Sequence, residues 1–71
     1  MIEKTFGNRL QTARKKASMT QAEVAKVLNI TQTTLSKYER GTLEPNIDTL
    51  RRLIELYEIN ANWLLGTGMK Q

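Results

Sequence analysis

Four side chains between Thr31 and Arg40 hold the polar chemistry that this sequence can present in one place: the amide of Gln32, the hydroxyls of Thr33 and Ser36, and the amine of Lys37. They offer donors, acceptors and one positive charge. The rest of the chain adds no reactive group to them. The 71 residues include neither His nor Cys, and the seven carboxylates are scattered rather than paired. The commonest general base, the usual metal ligands and the thiol nucleophile are therefore missing. There is no glycine-rich phosphate loop, and a chain this short leaves little volume for a substrate pocket. An enzyme, a metal site, a cofactor and a small-molecule ligand are accordingly not expected. What remains for such side chains is hydrogen bonding to another surface.

Two short helices must position them. Thr20-Gln21-Ala22-Glu23 has the form of a capping box, in which the Thr hydroxyl accepts from the N–H of residue 23 and Glu23 reaches back to the N–H of Thr20. Val24, Ala25 and Leu28 then recur at helical spacing, and the pattern breaks at Asn29, a residue that enters the left-handed region cheaply. Thr31 is a good N-cap for a second helix, whose apolar positions Leu35 and Tyr38 lie three apart. Gln32, Thr33, Ser36 and Lys37 fall on the opposite face.

A helix, a three- or four-residue turn and a second helix with a polar face make up a helix-turn-helix. Gln21, Ala25, Leu35 and Tyr38 stand at the relative spacings of the phage repressor and Cro type helix-turn-helix family, and Tyr38-Glu39-Arg40-Gly41 is similar to its usual exit. Trp63-Leu64-Leu65-Gly66 resembles its common closing sequence. Asn29 departs from the pattern, where the family most often has Gly, but Asn tolerates the same backbone angle. The likeness runs from about Phe6 to Gly66. It implies an all-α, compact five-helix lambda-repressor-like DNA-binding domain over residues 1–66, with a central helix-turn-helix and a short flexible tail at residues 67–71. That tail is either a true end or the start of a linker. The resemblance also implies a sequence-specific regulator of transcription, a repressor bound as a dimer to a palindromic operator in double-stranded DNA.

On this reading the second helix of the motif enters the major groove N-terminus first. Gln32 is then the chief base reader, because an amide matches the donor and acceptor pair at adenine N6 and N7; the family commonly has Gln at the matching position. Thr33 offers a hydroxyl to a base edge or a methyl to thymine. Lys37 reaches guanine O6 or N7, or settles on a phosphate. Ser36 is short enough to need a bridging water. Gln21 opens the first helix of the motif, where free N–H groups and the helix dipole favour a phosphate; in resembling proteins this Gln contacts the backbone and braces the reading Gln. Its alternative is a plain polar helix start. Thr31 and Thr34 serve as cap and packing residues or touch phosphate. Thr42 and Asn46 lie where such domains meet the sugar-phosphate backbone.

Charge is placed accordingly. Residues 1–45 hold eight basic side chains against four acidic ones, and residues 46–71 hold three against three, so the whole excess of +4 accompanies the motif. Such an excess is also ordinary for a soluble protein. Phe6, Leu10, Ala13 and Ala17 predict a first helix from about Thr5 to Ala17. Arg9 and Lys16 on its outer face either solvate that face or add long-range attraction for phosphate. Arg14 lies beside the apolar stripe, where the matching family often has an Arg paired with the Glu that ends the recognition helix. The resemblance therefore implies an Arg14–Glu39 ion pair, partly buried and bidentate.

Thr42-Leu43-Glu44-Pro45 reads as a loop and Asn46 as the next N-cap. Ile47, Leu50, Leu53, Ile54 and Tyr57 form the stripe of a fourth helix, and Asn60 caps a short fifth one that Gly66 ends. Phe6, Tyr38, Tyr57 and Trp63 all fall on stripes expected to be buried, which leaves no aromatic platform for RNA. One reading helix covers only a few base pairs, so a weak homodimer assembled by DNA is expected. In the family the dimer contact often involves the C-terminal helix, which points to Ile59, Trp63 and Leu65, each of which is otherwise ordinary core. No stretch approaches the roughly 18 apolar residues of a membrane span, so the expectation is a cytoplasmic protein without a membrane partner. The competing reading is a protein-interaction module of the same fold, such as an antitoxin-like subunit, which requires an exposed apolar patch.

Overall fold

The computed structural model describes residues 6–66. Five helices follow in order, α1 (Phe6–Lys16), α2 (Gln21–Leu28), α3 (Gln32–Arg40), α4 (Ile47–Tyr57) and α5 (Ala61–Leu65), and no strand forms among the described residues. Thr5 and the expected tail at residues 67–71 lie outside them.

Each of the four expected N-caps is made by the side chain in question. The Glu23 N–H donates to Thr20 Oγ1 at 3.1 Å and the Thr20 N–H to Glu23 Oε1 at 2.8 Å, which closes the capping box. Thr31 accepts from the Thr34 N–H, Asn46 from the Thr49 N–H, and Asn60 from the N–H groups of Asn62 and Trp63. These bonds satisfy donors that a helix start otherwise leaves open. Helix ends are closed by left-handed residues: Asn29 (φ 59°), Gly41 (φ 79°) and Gly66 (φ 72°) at positions legible from the sequence, and Ser18 (φ 59°) and Glu58 (φ 55°) at positions that are not. At Glu58 a backbone bond from the Ile59 N–H to the Ile54 carbonyl holds the turn, offsetting the roughly 1–2 kcal/mol that a side chain costs there.

Every helix contributes to one core. Leu10, Val24, Leu35, Leu53 and Leu64, one from each, are almost completely buried, and Ala13, Leu28, Tyr38 and Tyr57 complete the cluster. α3 packs against both α1 and α2, and α5 against α1. The α1–α3 approach is very close because of Gly7. A Cβ there would lie 2.8 Å from the Tyr38 carbonyl oxygen and 2.9 Å from the Glu39 carbonyl carbon, and closer still to the Glu39 carbonyl oxygen. Across the bottom of the motif, Arg52 of α4 donates to the Leu28 carbonyl at 3.3 Å, placing a positive charge at the negative end of α2.

Three expectations need correction. Ile47 is not on the buried stripe of α4; it is 79% exposed. Six residues separate it from Leu53, which at 3.6 residues per turn puts it about a third of a turn away from the core direction. Trp63 is 43% and Leu65 47% exposed, so neither is ordinary core and Trp63 does not lie on a buried stripe. A five-residue helix has room for one inward position, which Leu64 takes, and the neighbours on either side are turned outward. Ile59 does pack against the core.

Candidate nucleic-acid interface

The N-terminus of α2 and the outer face of α3 meet along a shallow polar groove lined by Gln21, Gln32, Thr33, Ser36 and Arg40. Residues 32, 33, 36 and 40 fall on one side of a helix by spacing alone, while Gln21 is brought in by the turn at Asn29 and Ile30. That turn is tight because the Asn29 N–H donates to the Lys26 carbonyl and the Ile30 N–H to the Ala25 carbonyl.

A chain of hydrogen bonds runs from the core into this groove. Arg14 Nε donates to Glu39 Oε2 at 2.7 Å and Arg14 Nη2 to Glu39 Oε1 at 3.3 Å, a two-pronged pair whose side chains are only 10% and 3% exposed. Arg14 Nη1 donates to the Met19 carbonyl at 2.9 Å, so the same guanidinium also fastens the α1–α2 loop. The Glu39 hydrogen bond raises the Arg14 pKa above its ordinary value, against the opposing effect of burial. Gln21 Nε2 donates to Glu39 Oε1 at 3.0 Å, and Gln32 Nε2 donates to Gln21 Oε1 at 3.4 Å, a longer contact. The Tyr57 phenol lies near the ion pair, buried and without a hydrogen-bond partner among the described residues. Burial, reinforced by the Glu39 charge and moderated by Arg14, pushes its pKa upward.

The remaining sequence-derived candidates fall into two groups. Lys37 is exposed on the flank of α3, one turn beyond Thr33, and its backbone carbonyl accepts from both the N–H and the hydroxyl of Thr42. Thr31 Oγ1 donates to Thr34 Oγ1 at 2.9 Å, so these two hydroxyls are engaged with each other at the helix start. Asn46 is exposed and uses its carbonyl oxygen as a cap, which leaves its NH2 facing outward from that bond. Arg9 and Lys16 are not brought to the groove. Gly7 and Arg14 are among the α1 residues that meet α3, and positions 9 and 16 lie roughly 140–200° around the helix from them. The Arg9 guanidinium lies against Gly66 at the end of α5, and Lys16 lines a different depression with Ala13, Ile59, Asn60 and Trp63.

Two features escaped sequence reasoning. Arg40 lines the groove although the sequence marked it only as part of the helix exit; its spacing of four from Ser36 and eight from Gln32 was the available signal. The Gln21–Glu39 bond joins residues 18 apart and had no local signal. Among the described residues, no three His, Cys, Asp or Glu side chains come together as a metal site would need.

Comparison with known proteins identifies the family and the fold. The helix-turn-helix family profile matches residues 10–64. The chain is 47% identical over 62 residues to the transcriptional regulator ImmR of Bacillus subtilis, covering 87% of this chain and 49% of ImmR. It is 30% identical over 61 residues to the transcriptional activator BcrR of Enterococcus faecalis, covering 86% of this chain and 30% of BcrR. The crystal structure of the P22 c2 repressor in complex with a synthetic operator superposes with a TM-score of 0.83 at 28% identity, over 92% of this chain and 98% of that one. The chain thus spans about half or less of the length of the regulators ImmR and BcrR. With the profile covering most of its length and the fold shared with a phage repressor, the chain belongs to the helix-turn-helix family of phage repressor and Cro type.

Proposed function

We propose that this chain binds double-stranded operator DNA through the major groove and regulates transcription, as a repressor that occludes polymerase. The observation that carries the reading is the exposed α3 face, where Gln32 reaches into the groove with its amide already in contact with Gln21. α3 enters the major groove with its N-terminus leading, and Gln32 pairs with adenine N6 and N7. Thr33, Ser36 and Lys37 follow along the same face. Gln21, Thr31 and Thr34 meet one phosphate strand at the two helix starts, Thr42 and Asn46 meet another, and Arg40 adds a guanidinium at the far end of the groove. Arg9 and Lys16, on the far side of α1, act only through long-range attraction.

Two copies read a palindrome with half-sites about 34 Å apart. The exposed side chains of Trp63 and Leu65 and the partly buried Ile59 are assigned to a weak dimer contact; Trp63 shares a depression with Ile59, whereas Leu65 lines a separate one with Phe6, Pro45 and Leu50. Action is assigned to the cytoplasm; among the described residues no helix is long and apolar enough to cross a membrane.

Selection of duplexes from a random pool, with affinities remeasured across salt concentrations, tests the reading. The expected result is an enriched palindrome with half-sites one helical turn apart. Gln32→Ala then loses about 1–3 kcal/mol and relaxes preference at one base pair per half-site. Absence of any motif, with all binding gone at physiological salt, would replace this reading with that of a protein-interaction module.

A further inference from the structure

We propose that Glu39, buried and out of reach of any ligand, is a positioning residue that sets which base Gln32 accepts, by fixing the polarity of two side-chain amides in series. The proposal rests on the DNA-reading role of Gln32 stated above and adds to it the origin of its base preference.

An amide side chain is ambivalent: turned one way it presents N–H donors to a neighbour, turned the other way an acceptor oxygen. Nothing in Gln32 alone determines which it shows to DNA. A carboxylate is not ambivalent, since it only accepts. Glu39 Oε1 lies 3.0 Å from the Gln21 amide, and both Glu39 oxygens already accept from Arg14, which holds the carboxylate in place. Gln21 must therefore turn its NH2 toward Glu39. Its oxygen is then left facing Gln32, 3.4 Å away, and that oxygen can only accept. Gln32 must in turn spend one N–H on Gln21, which leaves it with one N–H donor and one acceptor oxygen. One donor plus one acceptor matches adenine, which offers N7 as acceptor and N6–H2 as donor; guanine presents two acceptors, O6 and N7. The buried ion pair thus propagates an acceptor-only end through two amides to the groove.

The polarity can be reversed without touching the ion pair. Gln21→Lys still donates to Glu39 but offers Gln32 a donor instead of an acceptor. Gln32 then turns its oxygen inward and presents both N–H groups outward, the set that suits guanine. The test is duplex selection with wild type, Gln21→Lys and Glu39→Gln, read at the single base pair that Gln32→Ala relaxes. The expected outcome is adenine for wild type, a shift of at least several-fold toward guanine for Gln21→Lys, and loss of most of the preference for Glu39→Gln, with preferences at the other positions retained. A uniform loss of affinity in both variants, with adenine still preferred at that pair, would mean that Glu39 acts on stability alone and would overturn the proposal. A readout without DNA separates this from failure of the DNA-reading role. In the free protein, side-chain NH2 exchange of Gln21, followed by 1H–15N NMR, is expected to be slowed several-fold relative to Gln11 and to lose that protection in Glu39→Gln. Equal exchange in the two proteins would refute the relay whether or not an operator is found.

Discussion

Replacing Gly7 by Ala separates helix propensity from packing with opposite signs. In a solvent-facing helix the change would stabilise by about 0.5–1 kcal/mol, because Gly loses more backbone freedom on folding. At position 7 the new Cβ would fall 2.8 Å from the Tyr38 carbonyl oxygen and nearer still to that of Glu39, where unstrained contacts begin at 3.4 Å. The obstacle is the backbone of the last turn of α3, so no rotamer change relieves it. α1 as a body must withdraw by roughly half an ångström or more from a close-packed interface. Overpacking of this kind costs about 1–3 kcal/mol. Packing wins, and the expected net loss is about 1–2 kcal/mol, or a fall in Tm of roughly 5–15 °C for a domain of this size.

Thermal unfolding followed by circular dichroism at 222 nm measures this directly. Gly41 supplies the control, because no described residue lies within 4 Å of a Cβ there and its φ of 79° is what resists a side chain. Asn, which tolerates that conformation, should recover most of the loss at Gly41→Ala. Gly7→Asn should be at least as harmful as Gly7→Ala. A Gly7→Ala protein that melts at or above the wild-type temperature would refute the account of how α1 seats α3.

Arg14→Ala strands the Glu39 carboxylate in a nearly closed environment and is expected to cost about 3–5 kcal/mol, while replacing both Arg14 and Glu39 with Met should restore most of the stability. An unchanged Tm in Arg14→Ala would remove the ion pair from the list of what holds α1 to α3. Tyr57→Phe deletes a buried hydroxyl that has no partner among the described residues, so its Tm at pH 7 is expected to equal or exceed that of wild type. Because the folded state raises the Tyr57 pKa above its ordinary value of 10.0, it binds that proton more tightly than the unfolded chain does. The associated stability is complete below about pH 10 and is lost as pH rises beyond it, so urea titrations should show a shallower alkaline decline in Tyr57→Phe. Equal alkaline slopes in the two proteins would contradict the burial of that phenol.

Local chemistry is what the sequence determines unaided. The capping box at Thr20–Glu23, the caps at Thr31, Asn46 and Asn60, and the left-handed exits at Asn29, Gly41 and Gly66 each depend on residues within one turn of each other, so type and spacing suffice to locate four helix starts and three ends. The left-handed Ser18 and Glu58 were illegible because neither residue type favours that conformation; backbone bonds formed by the surrounding turn hold them there. The polar face of α3 was legible for the same reason as the caps, since helical periodicity orders its residues. Distances between helices were not. That Gly7 is needed for contact, that Trp63 and Leu65 face outward, that Arg9 and Lys16 turn away from α3, and that Gln21 bonds Glu39 all depend on where separate helices come to rest. Packing of the common core decides that, as each helix rotates to bury its own apolar stripe and carries its polar side chains to whatever neighbours the rotation provides.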